Sequence, residues 1–482
     1  MTLCLPRVPP SLSDFRRLRS ELRSVADFLP SDLPGLQTWL EIGDFSHIYA
    51  HSTLTPNTPC VDGATALSWQ ERSAFLRHLT ATNGPTYQSP DTGETDTPNG
   101  KGRLVFDGIN DEMVASAAAD WTFLHNRSGM EIVVVAKTSP NVLSVLLDTT
   151  NLQVGTGLLM YNDDASTNDG RFGFTINHNG GFVFSIAVDP AANVFPANEW
   201  HAASINDGGS EDPEMWLDAC YLASATQLNP PSLSAPTTAL RLGRGFSGTF
   251  SANKYAAVIA YNRKLAIRER RQLHAYLGGQ YGFAAGNIAC IGDSITSAFG
   301  NLVPYPTRMA GRLSGLWRVS NFGVSGAQTN AIKTFQWDHT TNGARRRRYN
   351  WVSYLAGIND IRGGLTGVQT WGNAGRVKDT LDSIRAEPGM RLLVGTLLPN
   401  KGDAGYNSTR QGYIDEFNNL VRQYCLDNAD TYLMDWNLLL SDPNDPQALY
   451  PPWQFDYLHP NQQGFDLMAA AVGDKIRGIG LL

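Results

Sequence analysis

Three polar side chains in the C-terminal part of the chain have the types that acyl transfer to serine requires. Ser294 could act as the nucleophile, and His459 could remove its proton, because an imidazole titrates near neutral pH and can return that proton to a leaving alcohol. Asp456 comes three residues before His459, so its carboxylate could accept a hydrogen bond from the other ring nitrogen and stabilise the imidazolium. These three residues form the candidate catalytic set.

The surroundings of Ser294 predict where its hydroxyl lies. The apolar run at 288–291 has the length and composition of a buried parallel strand, and a helix-compatible sequence follows Gly292, Asp293 and Ser294. A serine at such a turn lies at the carboxyl edge of a sheet, where α/β proteins bind ligands, and its N–H is one of the unpaired donors at the start of the helix. The alternative is that Asp293 or Ser294 only caps this helix.

Two further alternatives concern the other members of the set. His459 could be a surface histidine in front of Pro460, which would begin the last helix. Asp435, at the end of a predicted strand, could orient the histidine in place of Asp456, although a structural role suits it better. The short separation between Asp456 and His459 favours Asp456.

Three more blocks follow the serine in order along the chain. They read Asn-Phe-Gly-Val-Ser-Gly at 321–326, Gly-Ile-Asn-Asp at 357–360 and Asp-Tyr-Leu-His-Pro at 456–460. Together with Gly-Asp-Ser at 292–294, they make this part of the chain resemble the GDSL, or SGNH, hydrolase superfamily, whose four blocks supply serine, glycine, asparagine and histidine. The resemblance implies an α/β/α, flavodoxin-like domain with a parallel sheet, carboxylic ester hydrolysis, and no cofactor or metal. Ile295 stands where the family name expects leucine, which leaves the chemistry unchanged.

The resemblance also implies which groups would stabilise the oxyanion. They are the N–H of Ser294, the N–H of Gly326 and the side-chain amide of Asn359. A glycine brings bare backbone next to a substrate, and an amide is a neutral donor. Gly326 could instead be an ordinary turn glycine, with Gly323 in its place. Asn359 could be a helix cap, with Gly357 and Asp360 as turn residues.

Length and composition limit the class of protein. A chain of 482 residues exceeds what one core usually holds, so at least two domains are expected. The net charge of -7 argues against nucleic acid as a general partner, and the basic run at 345–348 is predicted to be a solvated loop. The five cysteines are widely spaced without a C-x-x-C pair, which indicates neither a disulfide framework nor a zinc site. We predict no signal peptide and no membrane insertion, because no long apolar run occurs at the N-terminus and none elsewhere reaches about 18 residues.

The sequence pattern divides the chain into three parts. Residues 1–34 contain one amphipathic helix, predicted at 14–28, which must pack on something else and is a candidate attachment segment. Residues 35–282 carry many short alternating or apolar runs between Gly, Asn, Asp and Pro clusters, which predicts an antiparallel β-sandwich or jelly roll. Residues 283–482 alternate strand and helix patterns, which predicts a parallel sheet covered on both faces.

The β-rich part is similar to concanavalin-like, or laminin-G-like, lectin domains. The similarity rests on the segments at 36–40, 104–111, 198–201, 242–245 and 259–263. Within the second of these segments, Asp107, Asn110 and Asp111 could ligate calcium, but a turn after a strand explains them more simply. Such β domains look like those of bacteriophage tail or appendage proteins.

Together the two resemblances imply a serine esterase that acts on acylated carbohydrate. The expected reaction is O-deacetylation of a bacterial surface polysaccharide by a tail fibre, spike or appendage, located on the virion or outside the cell. Residues 1–34 would attach the chain to other virion proteins, and a homo-oligomer such as a trimer is expected because such appendages are often trimeric. The alternatives are a lipid or aryl esterase with the same catalytic residues and a non-enzymatic receptor-binding or capsid decoration protein.

Overall fold

The computed structural model describes residues 28–42, 47–50, 59–90, 98–124, 129–139, 143–150, 157–163, 171–178, 181–186, 199–209, 211–224, 238–245, 248–284, 286–313, 317–338 and 349–479. The predicted N-terminal helix, apart from Phe28, and the basic run at 345–348 lie outside these residues. Among the helices of the described part, none has both the length and the apolar character that crossing a membrane requires.

Two antiparallel sheets form the N-terminal part of the described chain. Their strands are β1 (Leu36–Glu41), β2 (Ile48–Tyr49), β3 (Ser68–Trp69), β4 (Leu79–Thr80), β5 (Thr86–Gln88), β6 (Arg103–Val105), β7 (Met113–Ala115), β8 (Met130–Lys137), β9 (Leu143–Asp148), β10 (Gly157–Asp163), β11 (Arg171–His178), β12 (Gly181–Ile186), β13 (His201–Asp207), β14 (Glu214–Leu217), β15 (Cys220–Ser224), β16 (Arg241–Leu242) and β17 (Lys254–Tyr261). The eight-stranded sheet runs β15-β14-β13-β8-β17-β6-β5, with β1 also paired to β17. The nine-stranded sheet runs β12-β11-β10-β9-β16-β7-β4-β3-β2.

The two antiparallel sheets share one apolar core. Alternation along β8 shows how it is built, because Ile132 and Val134 face this core whereas Val133 and Val135 face the other side of the sheet. The predicted antiparallel architecture of the N-terminal part is confirmed. Its jelly-roll connectivity stays a prediction.

A helix, α1 (Ile267–Tyr281), covers the outer face of the eight-stranded sheet. Leu273 and Leu277 of this helix pack against Val133 and Val135 of β8. The helix ends at Gly282, which adopts φ +77 and donates its N–H to a carbonyl of the last turn, as left-handed helix ends commonly do. The chain then enters the parallel sheet.

A five-stranded parallel sheet with helices on both faces forms the C-terminal part. Its strands are β18 (Gly286–Gly292), β19 (Trp317–Asn321), β20 (Trp351–Leu355), β21 (Arg391–Gly395) and β22 (Thr431–Met434), and a hairpin of β23 (Ser441–Asp442) and β24 (Asp445–Leu449) follows. The helices are α2 (Ser294–Ser297), α3 (Tyr305–Ala310), α4 (Thr329–Ala331), α5 (Ile358–Arg362), α6 (Gly367–Gly372), α7 (Val377–Arg385), α8 (Ser408–Asp427), α9 (Trp436–Leu440) and α10 (Gln462–Gly478), with a π-helical turn at Ile332–Trp337.

The parallel sheet is buried on both faces. Ala289 and Ile291 of β18 lie in the core under α7 and α8, whereas Ile288 and Cys290 lie in the core under α3 and α10. A strand with two buried faces needs a continuous apolar run, which is what 288–291 supplies.

The strand order β19-β18-β20-β21-β22 fixes where a site would lie. This is the flavodoxin-like order of doubly wound sheets, in which ligands bind in the crevice outside the carboxyl ends, between the first and third strands. Here those strands are β18 and β20. Ser294 follows β18 and Asn359 follows β20, so the two residues flank this crevice.

One strand is shorter than its apolar pattern predicts. The apolar run at 391–397 predicts one strand, but β21 ends at Gly395. The N–H of Leu397 donates to Oδ1 of Asn418 at 2.7 Å, and Nδ2 of Asn418 donates back to the Leu397 carbonyl at 3.1 Å. The backbone here is therefore satisfied by a side-chain amide of α8, and the apolar pattern continues past the strand because Leu397 still faces the core.

Candidate active site

Ser294 begins the one-turn helix α2 directly after β18, and the residue before it supplies the cap. Oδ1 of Asp293 accepts a hydrogen bond from the N–H of Ile295 at 3.0 Å. The Ser294 hydroxyl is not used for capping, and its Oγ lies 2.8 Å from Nε2 of His459. The cap and the candidate nucleophile are therefore adjacent but separate residues.

The imidazole of His459 bridges Ser294 and Asp456. Its Nδ1 lies 2.9 Å from Oδ2 and 3.1 Å from Oδ1 of Asp456. A carboxylate only accepts hydrogen bonds, so we infer that Nδ1 carries the proton and that Nε2 turns its lone pair to the Ser294 hydroxyl. In this tautomer the imidazole can take the serine proton.

Asp456 is held by the backbone of its own loop. Its Oδ1 accepts the N–H of Leu458 at 2.8 Å and the N–H of His459 at 2.6 Å. Burial acts to raise the pKa of Asp456, but the hydrogen bonds from the His459 ring and from these two N–H groups outweigh it and hold the pKa below its usual range. The carboxylate is thus ionised near neutral pH and can stabilise an imidazolium.

The loop that carries His459 is closed before the last helix begins. The N–H of Phe455 donates to the His459 carbonyl at 2.9 Å, and Gln454 pairs with Pro460 in an isolated antiparallel bridge. Asn461 then caps α10. His459 is only 6% exposed, so it is not the surface histidine of the alternative interpretation.

The loop after β19 runs beside the end of β18 and contains both candidate glycines. Val324 donates its N–H to the Gly292 carbonyl at 3.1 Å. A Cβ on Gly323 would lie 2.4 Å from the backbone nitrogen of Ser297, so this glycine permits close packing. Gly326 adopts φ +74 and has open space around it. Of the two glycines, Gly326 therefore has the exposed backbone that an oxyanion donor needs.

Asn359 reaches the same loop from the other side of the crevice. Its Nδ2 donates to the carbonyl of Ala327, directly after Gly326, at 3.1 Å. A primary amide has two N–H groups, and this contact uses one of them. The geometry thus places an amide donor beside the exposed backbone of Gly326.

The alternative in which Asp360 is only a turn residue is wrong. Asp360 is fully buried within α5, and its carboxylate accepts the N–H of Thr329 at 3.0 Å and the Thr329 hydroxyl at 2.9 Å. It also forms an ion pair with Arg376. Because Thr329 lies just beyond the Gly326 loop and Asp360 follows Asn359, this network ties the two candidate oxyanion donors together.

Gln336 is a second residue near the site whose role no local sequence pattern indicates. It lies on the π-helical turn and is buried, and its amide bonds to Gly292 twice, by accepting from the N–H and donating to the carbonyl at 2.8 Å each. A primary amide supplies both the acceptor and the donor that these two bonds need. The contact fixes the last residue of β18 immediately before the turn that carries Ser294, and π-helical turns are frequent near functional sites.

Asp435, the alternative orienting carboxylate, has other partners. It accepts from Nε of Arg422 at 2.9 Å and from the Thr396 hydroxyl at 3.1 Å. It also caps α9 through the N–H of Leu438 at 3.2 Å. These contacts give Asp435 a structural role.

The residues considered for calcium form a turn. Oδ1 of Asp107 accepts from the N–H groups of Ile109, Asn110 and Asp111, and Asp111 accepts in return from the N–H of Asp107 at 2.9 Å. Within the described ranges, no group of three or more His, Cys, Asp or Glu side chains is arranged to hold a metal ion.

The C-terminal part of the chain matches the model of a known family. Residues 290–467 match the model of the GDSL-like Lipase/Acylhydrolase family. No curated relative matches the chain. The predicted GDSL-like domain in the C-terminal part of the chain is therefore confirmed.

Several solved structures resemble this chain at low identity. A GDSL-like lipase from Bacteroides thetaiotaomicron is 16% identical, with a TM-score of 0.33 and coverage of 40% of this chain and 88% of that chain. A sialidase from Trypanosoma rangeli is 14% identical, with a TM-score of 0.33 and coverage of 51% of this chain and 33% of that chain. The CBM40 module of the Ruminococcus gnavus IT-sialidase, bound to α2,3-sialyllactose, is 17% identical, with a TM-score of 0.25 and coverage of 29% and 79%. Similarities at these levels assign neither an activity nor a ligand to this chain.

Proposed function

We propose that the C-terminal domain hydrolyses carboxylic esters with Ser294 as the nucleophile. The observation that carries the proposal is the single imidazole of His459, which has the Ser294 hydroxyl 2.8 Å from Nε2 and the Asp456 carboxylate 2.9 Å from Nδ1. The match of residues 290–467 to an acylhydrolase family supports the same class of reaction.

In the first half of this reaction Ser294 Oγ attacks the ester carbonyl carbon while its proton moves to Nε2 of His459. The carbonyl oxygen becomes an oxyanion, which the N–H groups of Ser294 and Gly326 and the amide of Asn359 would stabilise. When the carbon–oxygen bond of the alcohol breaks, the imidazolium returns the proton to the leaving oxygen. Asp456 stabilises the imidazolium in between.

In the second half water replaces the serine. His459 removes a proton from the water, the resulting hydroxide attacks the acyl-enzyme, and the carboxylic acid leaves as Ser294 regains its proton. Each oxyanion donor in such sites contributes about 3 kcal/mol to transition-state stabilisation. Every group in this cycle belongs to the protein, the ester or water.

The test is hydrolysis of p-nitrophenyl acetate together with labelling by a fluorophosphonate probe. We expect the protein to release p-nitrophenol and to gain one probe adduct, and Ser294→Ala to lose both. Ser297→Ala, on the same helical turn, is the matched control and should still be labelled. Hydrolysis that survives in Ser294→Ala would overturn the proposal, and an unlabelled protein would favour the non-enzymatic receptor-binding or capsid decoration alternative.

We further propose that the ester is an acylated carbohydrate, most simply an O-acetylated polysaccharide. The lectin-like pattern of residues 35–282 supports this substrate class. Contacts across the junction also support it, since Arg271 of α1 donates to the Gly389 carbonyl at 2.5 Å and lies 3.6 Å from Asp430. A sheet that binds the polymer at a fixed position would raise the local concentration of acyl groups at Ser294.

Polymer and monomer substrates test the carbohydrate proposal. We expect KM per acetyl group to be about tenfold or more lower on an acetylated polysaccharide than on an acetylated methyl pyranoside, because the first binding event tethers the second. Equal values would contradict a role of the antiparallel sheets in substrate binding. Faster hydrolysis of acyl lipids or aryl esters than of any sugar ester would favour the lipid or aryl esterase alternative.

A location on a phage virion remains a proposal that rests on the sequence resemblance of the β-rich part to appendage proteins. It expects residues 1–34 to attach the chain to other virion proteins and the chain to form a homo-oligomer. Mass spectrometry of purified particles would detect the chain if it is a virion protein. A monomer in sedimentation would contradict the expected oligomer.

A further inference from the structure

The phenyl ring of Phe299 lies stacked on the imidazole of His459. The two ring centroids are 4.3 Å apart and the planes differ by 9°. Phe299 nevertheless remains 39% exposed. A large apolar side chain that covers one face of the candidate general base, and leaves its own surface open to solvent, is placed where a substrate would arrive.

The backbone before Phe299 is strained. Ala298 adopts φ 67 and ψ 151, a combination that residues other than glycine rarely adopt. The strain lies between the helix that begins with Ser294 and the ring that stacks on His459. A conformation of this kind persists only where the surrounding structure imposes it, and such conformations cluster at functional sites.

Phe455 extends the apolar surface from the histidine's own loop. Its ring meets the ring of Phe299 edge to face, with centroids 5.9 Å apart and planes at 67°. It is 52% exposed. Two loops that are far apart in sequence, after β18 and before α10, thus build one exposed aromatic wall from Phe299 and Phe455.

We propose that this aromatic wall receives the alcohol portion of the ester and selects alcohols with a flat apolar face, such as the C–H face of a pyranose ring. The inference rests on the proposed esterase function and assigns its specificity for the leaving group. Phe299 also acts as a positioning residue for His459, because its ring fixes the plane of the imidazole.

The chemistry determines which side of the substrate meets the wall. The leaving oxygen must come within hydrogen-bond reach of His459 Nε2, because the imidazolium protonates it. The group attached to that oxygen therefore lies next to the imidazole and its stacked partner Phe299. The carbonyl oxygen points instead toward the proposed oxyanion donors, the N–H of Gly326 and the side-chain amide of Asn359.

The stacking also predicts a change in pH dependence. The face of an aromatic ring carries negative electrostatic potential and favours a cation placed on it, so Phe299 stabilises the imidazolium. The Asp456 carboxylate and the Ser294 hydroxyl also contact the His459 ring, and a substitution at Phe299 leaves both in place. Removing the ring should therefore shift the acid limb of the kcat/KM profile to lower pH, by about half a unit.

The experiment compares two acetate esters of primary alcohols, methyl 6-O-acetyl-glucopyranoside and ethyl acetate, in the full-length protein and in Phe299→Leu. We expect kcat/KM on the pyranoside to fall about fivefold to tenfold, the range of one lost aromatic contact, and to fall clearly less on ethyl acetate. Phe299→Tyr should restore the pyranoside preference and the acid limb. Phe335→Leu, which changes an exposed phenyl ring on the π-helical turn, is the control that should leave both values unchanged.

Equal losses on the two esters, with an unmoved acid limb, would overturn the inference. If Phe299→Leu does not fold, Phe455→Leu tests the same wall without touching the strained segment and should lose the pyranoside preference. Wild-type hydrolysis of ethyl acetate and fluorophosphonate labelling of Ser294 report on the proposed esterase function separately. A protein that passes those two assays but prefers neither alcohol refutes only the wall, whereas a protein that fails them refutes both proposals.

Discussion

Two serine–histidine pairs in this molecule make the same contact between a serine Oγ and a histidine Nε2. They differ in which ring nitrogen carries the imidazole proton. In the antiparallel part, Ser204 Oγ lies 3.2 Å from Nε2 of His274, and in the parallel part Ser294 Oγ lies 2.8 Å from Nε2 of His459. Nδ1 of His274 accepts the N–H of Ala219 at 3.0 Å, so its Nε2 carries the proton and donates to Ser204. That imidazole cannot take a proton from its serine.

The partner of Nδ1 therefore decides whether the histidine is a base toward its serine. The antiparallel part also contains a carboxylate–histidine pair, with His201 Nδ1 2.6 Å from Asp218, but on a different imidazole from the one that meets Ser204. At His459 both contacts fall on one ring, at the open edge of the parallel sheet. Ser204 and His274 are instead fully buried, with Ser204 on the sheet face that α1 covers and His274 on α1 itself.

Replacing each serine in turn should give the largest difference between the two pairs. Ser294→Ala should lower kcat by about 10⁵-fold to 10⁶-fold, because the nucleophile and its base act as a unit. Ser204→Ala should leave kcat unchanged and lower the free energy of unfolding by about 1 kcal/mol through the lost buried hydrogen bond. The measurements are acetate release and urea unfolding, with mass spectrometry of the fluorophosphonate adduct. A probe adduct on Ser204 would refute the distinction between the two pairs.

Asp456→Asn should convert the active pair into the inactive kind. An asparagine amide can donate to Nδ1 of His459, which moves the proton to Nε2 and turns it against Ser294. We expect kcat to fall about 10⁴-fold with little change in unfolding, as expected of a wrong tautomer in intact geometry. Asp435→Asn is the matched control, because it loses the Arg422 pair and should change stability rather than kcat. The opposite result would make Asp435 the orienting carboxylate.

Asn359→Ala tests whether Ser294, unlike Ser204, has an oxyanion donor beside it. We expect kcat to fall about 10²-fold to 10³-fold with a small change in KM, because an oxyanion donor acts mainly in the transition state. Steady-state kinetics on p-nitrophenyl acetate, with the thermal midpoint measured in parallel, checks this. An unchanged kcat would leave the N–H groups of Ser294 and Gly326 as the only proposed donors.

The sequence predicts the parallel sheet well because its signals are local. The apolar composition of the run at 288–291 predicts that this strand is buried. The turn that directly follows predicts the position of Ser294, and neither prediction needs information on distant residues. The strand at 391–397 is overestimated because Leu397 faces the core although its backbone bonds to Asn418, which no local pattern shows. Contacts made by a side chain on another element are invisible in such patterns.

The same limit explains which site residues were missed. Asp360 meets Thr329 and Arg376 only because the fold brings three segments together, and Gln336 meets Gly292 although 44 positions separate them along the chain. Glycine at a left-handed position is visible in a sequence, but the strained backbone that turns Phe299 onto His459 is at an alanine. A sequence pattern therefore finds the reacting groups and misses the groups that hold them in position.

The last prediction concerns the pH-dependent stability that His274 contributes. Burial lowers the pKa of His274 from 6.5 to about 4, against the opposing attraction of the Asp218 carboxylate. Between these two values the unfolded chain binds a proton that the folded chain does not. The free energy of unfolding should therefore decrease as the pH falls through this window, by on the order of 3 kcal/mol, and should not depend on His274 above it.

His274→Gln isolates this contribution, because glutamine keeps an acceptor for the Ala219 N–H and a donor for Ser204 but does not titrate. Urea unfolding of both proteins between pH 6.5 and pH 4 should show the wild type losing more stability than the variant. Asp293, whose pKa burial raises from 3.8 to about 7, acts in the opposite direction, since its buried carboxyl penalises folding as the pH rises, but both proteins share it. Parallel pH dependences would mean that His274 is charged in the folded state. In that case Nδ1 could not accept the Ala219 N–H, and the proton arrangement that separates the two serine–histidine pairs would be wrong.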